Sequence, residues 1–331
     1  MHTIRLAGGP AFGCAEGDTI LRAGLREGLG LSYECNVGSC GVCKFELVEG
    51  AVEDLRPDAP GLSERDRRKG RRLACQSRPA GDCVIAMRQD EAVRPPVRPQ
   101  RRTAVLETVR RLTHDLSEFT FRADGPADFL PGQYALIQLP GLAAPRAYSM
   151  ANTPNGDGVW QFIVRRVPNG VGTAALFAMA AGERASLDAP YGQAYLRPSP
   201  RDVVCVAGGS GLAPMLSIAR AFAEGPADGR GLTLYYGART ARDVCGEAEL
   251  AALPGFGTRI RFVPAVSDPE DAGFAGRRGF IHEVMADDLG RRFERCDVYC
   301  AGPPPMTMAL EDLLVREAGL PADRLRFDRF F

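Results

Sequence analysis

Four cysteines constrain this chain more than any other feature. Cys35, Cys40 and Cys43 form a C-x4-C-x2-C run, and Cys75 follows 32 positions after Cys43. Thiolates at that spacing can converge on two irons, three from one tight loop and the fourth from elsewhere. Cys35, Cys40, Cys43 and Cys75 are therefore the expected ligands of a [2Fe–2S] cluster. Gly38 and Gly41 inside the run let the backbone turn closely and aim N–H groups at the cluster's sulfurs. A Rieske site would need two histidine ligands in paired motifs, and His2, His114 and His282 do not supply them. The competing reading, zinc, usually sets C-x2-C against a second such pair or two histidines, and nothing of that kind surrounds Cys75. Cys14, Cys83, Cys205, Cys245, Cys296 and Cys300 are scattered among apolar neighbours and read as small buried hydrophobes.

With 331 residues, the chain has room for two or three domains, and 45% hydrophobic with 25% charged residues is a composition that packs cores. Lys+Arg and Asp+Glu are both 41, so no net field exists to hold a polyanion. That balance argues against a nucleic-acid or membrane-surface protein. Lys44 and Lys69 are the only lysines, leaving arginine to carry nearly all positive charge. Met1 to Arg5 lacks the charged start and apolar stretch of a secretory signal. The uncharged run 203–219, unsurpassed in length in the chain, contains Gly208 to Gly211 and Pro214 and is too short to span a membrane. A cytoplasmic location is expected, where thiols stay reduced and clustered cysteines point to metal rather than disulfides.

Val93 to Arg102 holds three prolines and no apolar period, which fits a semi-rigid linker. It separates a head, residues 1–92, from a longer body. Residues 104–109, 118–121, 134–139 and 159–164 read as short strands broken by Gly and Pro, the pattern of an antiparallel barrel. From about residue 200 strands and helices alternate. Strands are expected at 203–207, 232–236, 260–264 and 298–301, and helices at 212–223, 247–253, 280–288 and 306–318, which predicts a parallel α/β layer. The expected boundaries are 1–92, 93–102, 103–198 and 199–331.

Residues 33–43 with Leu73 to Gln76 resemble a plant-type [2Fe–2S] ferredoxin domain, which implies a β-grasp fold over the head. Arg146, Tyr148 and Ser149 resemble the R-x-Y-S segment of ferredoxin reductase-like flavoproteins. By that resemblance Arg146 pairs with flavin phosphate, Tyr148 stacks on the ring, and Ser149 approaches N5, making it the candidate catalytic residue. Gly172 and Thr173 precede an apolar stretch and look like the same family's second flavin segment, where a helix start could hold pyrophosphate. An ordinary helix cap would read the same way. Gly208, Gly209, Ser210 and Gly211, followed by Leu212, Ala213 and Pro214, form a strand, glycine turn and helix start that suits phosphate. This run resembles the family's G-G-[ST]-G-[LI]-A-P segment. Gly302 and Pro303 fall in a segment like the family's C-G-P-P-P-M at the nicotinamide end, with one departure. Ala301 stands where that family has Cys, and Cys300 is displaced by one position.

The order of motifs resembles the NADH-dependent reductase components of bacterial multicomponent oxygenases. The resemblance implies NADH, FAD and a [2Fe–2S] cluster as the cofactors, with an oxygenase component or Rieske ferredoxin as electron acceptor. It implies a function in aromatic or hydrocarbon oxidation. A nicotinamide gives two electrons together and a cluster takes one at a time, so a flavin belongs between them. Two alternatives stand beside this reading: the similarly built reductase of deoxysugar biosynthesis, and an interaction module that has lost its cofactors. The nucleotide preference is divided. No acidic residue follows the strand at 232–236, and Arg239 and Arg242 suit the 2′-phosphate of NADPH. The whole-chain resemblance, and the acidic Asp243 and Glu247 nearby, favour NADH.

Overall fold

The computed structural model describes residues 1–271 and 274–330. The chain divides into two compact units. Met1–Arg101, Pro145–Ala147 and Asp188–Gln193 make the first, and Arg102–Ala144, Tyr148–Leu187 and Ala194–Phe331 the second.

The first unit is built on β1 (His2–Leu6), β2 (Ala11–Cys14), β3 (Lys44–Glu49), β4 (Val52–Asp54), β5 (Arg71–Leu73), β6 (Ser77–Pro79) and β7 (Cys83–Met87), with α1 (Ile20–Arg26) and α2 (Glu64–Arg68). Its main sheet runs β2-β1-β7-β3-β5, and β4 pairs with β6 alongside. The pairing of β1 with β7 is parallel, and its neighbours are antiparallel. Thr19 starts α1 as its N-cap, and the helix buries Ile20, Leu21, Ala23 and Leu25. A mixed sheet grasping one helix is the β-grasp fold. Strand β8 (Gln100–Arg111) begins at Gln100, so only part of the Pro-rich stretch lies outside regular structure.

The barrel comprises β8, β9 (Leu116–Ala123), β10 (Tyr134–Gln138), β11 (Arg146–Ser149), β12 (Val159–Arg165) and β13 (Arg184–Tyr191), with α3 (Val171–Ala178). The ends of β11 and β13, at Arg146–Ala147 and Asp188–Tyr191, belong to the first unit. The sheet runs β11-β10-β13-β8-β9-β12, and a bridge between Met150 and Phe162 closes it. Trp160, Phe119, Phe121 and Phe162 fill its inside and are fully buried.

The α/β layer has β14 (Asp202–Gly208), β15 (Leu232–Ala238), β16 (Ile260–Val266), β17 (Arg277–Arg278), β18 (Cys296–Gly302) and β19 (Leu325–Arg329), all paired parallel. Helices α4 (Leu212–Glu224), α5 (Glu247–Ala251), α6 (Ile281–Leu289) and α7 (Pro304–Glu311) connect them. The order β17-β16-β15-β14-β18-β19 reverses direction between β14 and β18. In an open parallel sheet that switch point, at the C-terminal strand ends, is where ligands bind. Helix α4 is buried nearly all round because Ser217 Oγ donates to the Asn152 carbonyl at 2.7 Å and Arg220 Nη1 to that of Ala151 at 2.7 Å, tying it to the barrel. The 306–318 helix is α7 followed by a wider π-turn at Asp312–Glu317. Strand β19 is an element the sequence reading did not include. No helix among the described residues is long and apolar enough to cross a membrane.

Candidate functional site

In the first unit the thiols of Cys35 and Cys40 lie within hydrogen-bond reach of each other, as do those of Cys43 and Cys75. Three pieces of local chemistry hold the loop in place. Asn36 takes a left-handed conformation (φ 56°), and buried Arg22 reaches it from α1, its Nε donating to Asn36 Oδ1 at 3.3 Å. Gly41 also has a positive φ, and a Cβ there would stand 2.3 Å from the Gly61 carbonyl oxygen, so only glycine admits this approach. The Ala74 amide donates to the Cys43 carbonyl at 2.9 Å, and this bond delivers Cys75 to the other three.

The electrostatics suit an anion. The amides of Ser39 and Cys40 donate to Cys35 Sγ at 3.4 and 3.3 Å. The Cys40 thiol lowers the pKa of Cys35, burial opposes it, and backbone amides add to the lowering. Gln76 Nε2 donates to Cys75 Sγ at 3.6 Å, and the buried Asn36 Nδ2 has no protein partner among the described residues. Two close thiol pairs, sulfur-directed N–H groups and a spare buried donor fit a [2Fe–2S] cluster, each pair suiting one iron.

In the second unit Ser149, at the end of β11, is buried, and its Oγ donates to Asp328 Oδ2 at 2.8 Å. Asp328 lies on β19 opposite Ala301 of β18, so Ser149 is brought beside the strand end that carries Ala301 and Gly302. On β11 Tyr148 and Arg146 are half-buried, and Arg146 Nη1 donates to the Pro145 carbonyl at 3.2 Å. Gly172 lies buried in the first turn of α3, whose N-cap is Gly170. Thr173 Oγ1 is engaged locally, accepting from the Val167 amide at 3.2 Å and donating to the Gly170 carbonyl at 3.1 Å. Its hydroxyl thus closes the preceding loop, and the helix-start amides are what α3 offers a phosphate.

Gly208, Gly209, Ser210 and Gly211 turn tightly from β14 into α4. In register Gly208 stands opposite Gly237 of β15, and its neighbour Ala207 opposite Ala301 of β18. Three adjacent strands therefore carry only glycine and alanine at their ends by the switch point. A Cβ on Gly211 would come 2.0 Å from the Ala301 carbonyl oxygen, which joins the Gly302–Pro303 turn to the glycine turn. Arg165 leaves β12 to lie against Gly209, and its Nε pairs with Asp115 at 3.1 Å.

Cys300 and Ala301 face opposite sides of β18. Cys300 packs with Val204, Ile281 and Leu310, and Ala301 with Ala207, Leu212 and Met215. Arg239 and Arg242, past β15, are exposed. Neither joins a carboxylate among the described residues, because Asp243 is taken by Thr240 Oγ1 at 2.7 Å and His114 Nδ1 at 3.4 Å. The residues the sequence reading passed over are Asp328, Arg165 and Arg22. Leu325 and Phe327, alternating with charged residues, gave only a weak signal for the strand that carries Asp328. No local signal marked the other two.

Residues 8–80 match the family model of the 2Fe-2S iron-sulfur cluster binding domain. Residues 103–195 match the oxidoreductase FAD-binding domain and 205–312 the oxidoreductase NAD-binding domain. The chain is 40% identical over 337 residues to ferredoxin–NAD(P)(+) reductase CarAd of Metapseudomonas resinovorans, covering 100% of both chains. It is 43% identical to the ferredoxin–NAD(+) reductase component of the alkene monooxygenase system of Xanthobacter autotrophicus, covering 99% of this chain and all of that one. The solved ferredoxin reductase in carbazole 1,9a-dioxygenase superposes with a TM-score of 0.93 at 38% identity, covering 100% of this chain and 98% of that one. Two cofactor-binding domains and a cluster domain, matched in order and end to end, place the chain in the family of iron–sulfur flavoprotein reductases that serve as reductase components of multicomponent oxygenases.

Proposed function

We propose that this protein takes electrons from NADH and delivers them, by way of FAD and a [2Fe–2S] cluster, to an oxygenase component or Rieske ferredoxin of an aromatic or hydrocarbon oxidation system. The observation that carries this reading is the meeting of Ser149 with the β18 end through Asp328, 179 positions away. It joins the segment that resembles a flavin site to the segment that resembles a nicotinamide site. The proposed domains are 1–92 for the cluster, 93–102 as linker, 103–198 for flavin and 199–331 for nucleotide.

Bound FAD would supply the conversion of a two-electron donor into one-electron steps. Arg146 would hold its phosphate, Tyr148 its ring and Ser149 its N5 edge, with Gly172 and Thr173 at the pyrophosphate. Gly208, Gly209, Ser210 and Gly211 would cradle the nucleotide's phosphates on backbone amides. Gly302 and Pro303 would shape the nicotinamide end, and Arg239 would lie at the adenosine ribose. Cys35, Cys40, Cys43 and Cys75 would ligate the cluster.

Cys75→Ser tests the order of the path. It should lose the visible absorbance of the cluster, keep NADH-driven bleaching of the flavin, and fail to reduce a one-electron protein acceptor. Native-rate reduction of that acceptor would refute the assigned order.

A further inference from the structure

We propose that α2 and the turn after it form the docking face for an electron acceptor that presents carboxylates. The inference rests on the electron path proposed above and names the chemistry of its far end. Residues 64–72 hold Arg65, Arg67, Arg68, Lys69, Arg71 and Arg72 against Glu64 and Asp66, in a chain whose charges balance overall. The acidic groups nearby do not neutralise this surface. Asp66 turns inward, capping its own helix through the Ser63 amide and accepting from Lys44 Nζ at 2.8 Å and Arg71 Nη1 at 3.2 Å. Asp54 is taken by Arg72, and Glu46 by Arg71 at 3.1 Å. Arg65, Arg67, Arg68 and Lys69 stay exposed, and none meets a carboxylate among the described residues. Glu64 alone stands against these four on the helix.

This charge is bound to the cluster loop at both ends of its segment. The Gly61 amide donates to the Gly38 carbonyl at 3.0 Å, and Arg67 Nη2 to that of Ala59 at 2.8 Å. From α2 the chain enters β5, whose Leu73 pairs with Lys44 next to Cys43, and then reaches Cys75. Within the cysteine run Val42 is 44% exposed. An exposed apolar residue in the cysteine run, and unpaired charge on the segment bonded to that run, are parts of a transient protein interface. Unpaired rim charges raise encounter rates with a partner of opposite sign. Nucleic acid fits less well, because α2 offers no aromatic ring on which a base could stack.

The test uses the full holoprotein, NADH, and three acceptors: acidic cytochrome b5, basic cytochrome c and neutral menadione. At low salt the native protein should reduce cytochrome b5 with a kcat/KM that falls about tenfold or more by about 0.5 M salt. The triple variant Arg65→Glu, Arg68→Glu, Lys69→Glu should lose roughly tenfold on cytochrome b5 at low salt and gain on cytochrome c. Menadione reduction and cluster absorbance should not move, which separates docking from misfolding. A triple Gln variant should fall between. Equal cytochrome b5 rates in native and charge-reversed protein, or equal losses on both cytochromes, would overturn the proposal. So would native reduction of menadione but not of cytochrome b5, or tighter binding of a short RNA than of cytochrome b5 at matched salt. Flavin bleaching with no acceptor of any charge reduced would instead overturn the electron path on which the proposal rests.

Discussion

At the scale of single residues, the adjacent positions Cys300 and Ala301 of β18 illustrate how one step of register changes a role. Cys300 is fully buried on the face covered by α6 and α7, and Ala301 packs on the face covered by α4. Successive strand residues point to opposite sides, so Cys300 cannot stand in for a side chain at position 301. Cys300→Ala should leave NADH-to-flavin transfer nearly unchanged while costing about 1 kcal/mol of stability from the lost sulfur. Stopped-flow bleaching slowed tenfold with unaltered melting would contradict this. Arg239 poses the nucleotide question at the same scale. It is exposed and takes no carboxylate among the described residues, so its charge is available to a 2′-phosphate, and the NADH preference rests on the family. The expected kcat/KM in one buffer favours NADH. A ratio favouring NADPH that Arg239→Ala reverses would assign phosphate recognition to this side chain.

At the scale of elements, the turn from β14 into α4 is a backbone device. Gly211 sits so close to β18 that any side chain would strike the Ala301 carbonyl, and overpacking of this kind typically costs about 1–3 kcal/mol locally. Gly211→Ala should therefore displace the turn and slow flavin reduction by NADH about tenfold or more, with the cluster spectrum intact. Gly231→Ala is the control in the same layer, because its Cβ would meet only ordinary contacts at 3.7 and 3.8 Å. Equal rates for both variants would remove the turn from nucleotide binding. The strand and helix alternation of this layer was legible from its apolar periods, but β19 was not. A five-residue strand with two arginines and an aspartate carries little apolar signal, and only pairing with β18 orders it.

At the scale of the whole molecule, the first unit gathers three separate stretches of chain, and ionic contacts tie the 188–193 stretch to the N-terminal one. Arg26 Nη2 meets Asp188 Oδ2 at 2.5 Å and its Nη1 meets Asp18 at 3.0 Å, with both carboxylates more than 90% buried. Tyr191 donates to Asp188 at 2.9 Å, and Tyr33 Oη accepts from the Gly192 amide at 3.0 Å. Removing one partner of a buried pair strands the other, but Arg101 remains 3.4 Å from Asp18 and softens the loss. Arg26→Met should cost about 2 kcal/mol and lower the thermal midpoint by several degrees. An unchanged midpoint would mean that these ion pairs contribute nothing net. This contact also bears on where the head ends. Asp188, Tyr191 and Gly192 pack with residues before the Pro-rich stretch, which no reading of composition could reveal.

What the sequence by itself determined is the set of cofactors and their order. Cys35, Cys40 and Cys43, like Gly208 to Gly211, lie within a few positions of each other, so covalent geometry nearly settles which chemistry they can do. The tertiary structure decided which distant groups complete each site. Asp328 reaches Ser149 across 179 positions, and Asp188 reaches Arg26 across 162. Gly61 closes on Gly41 only because two loops pack backbone to backbone. Such meetings depend on strand register and burial, which are properties of the whole folded chain, and no short stretch of residues encodes them.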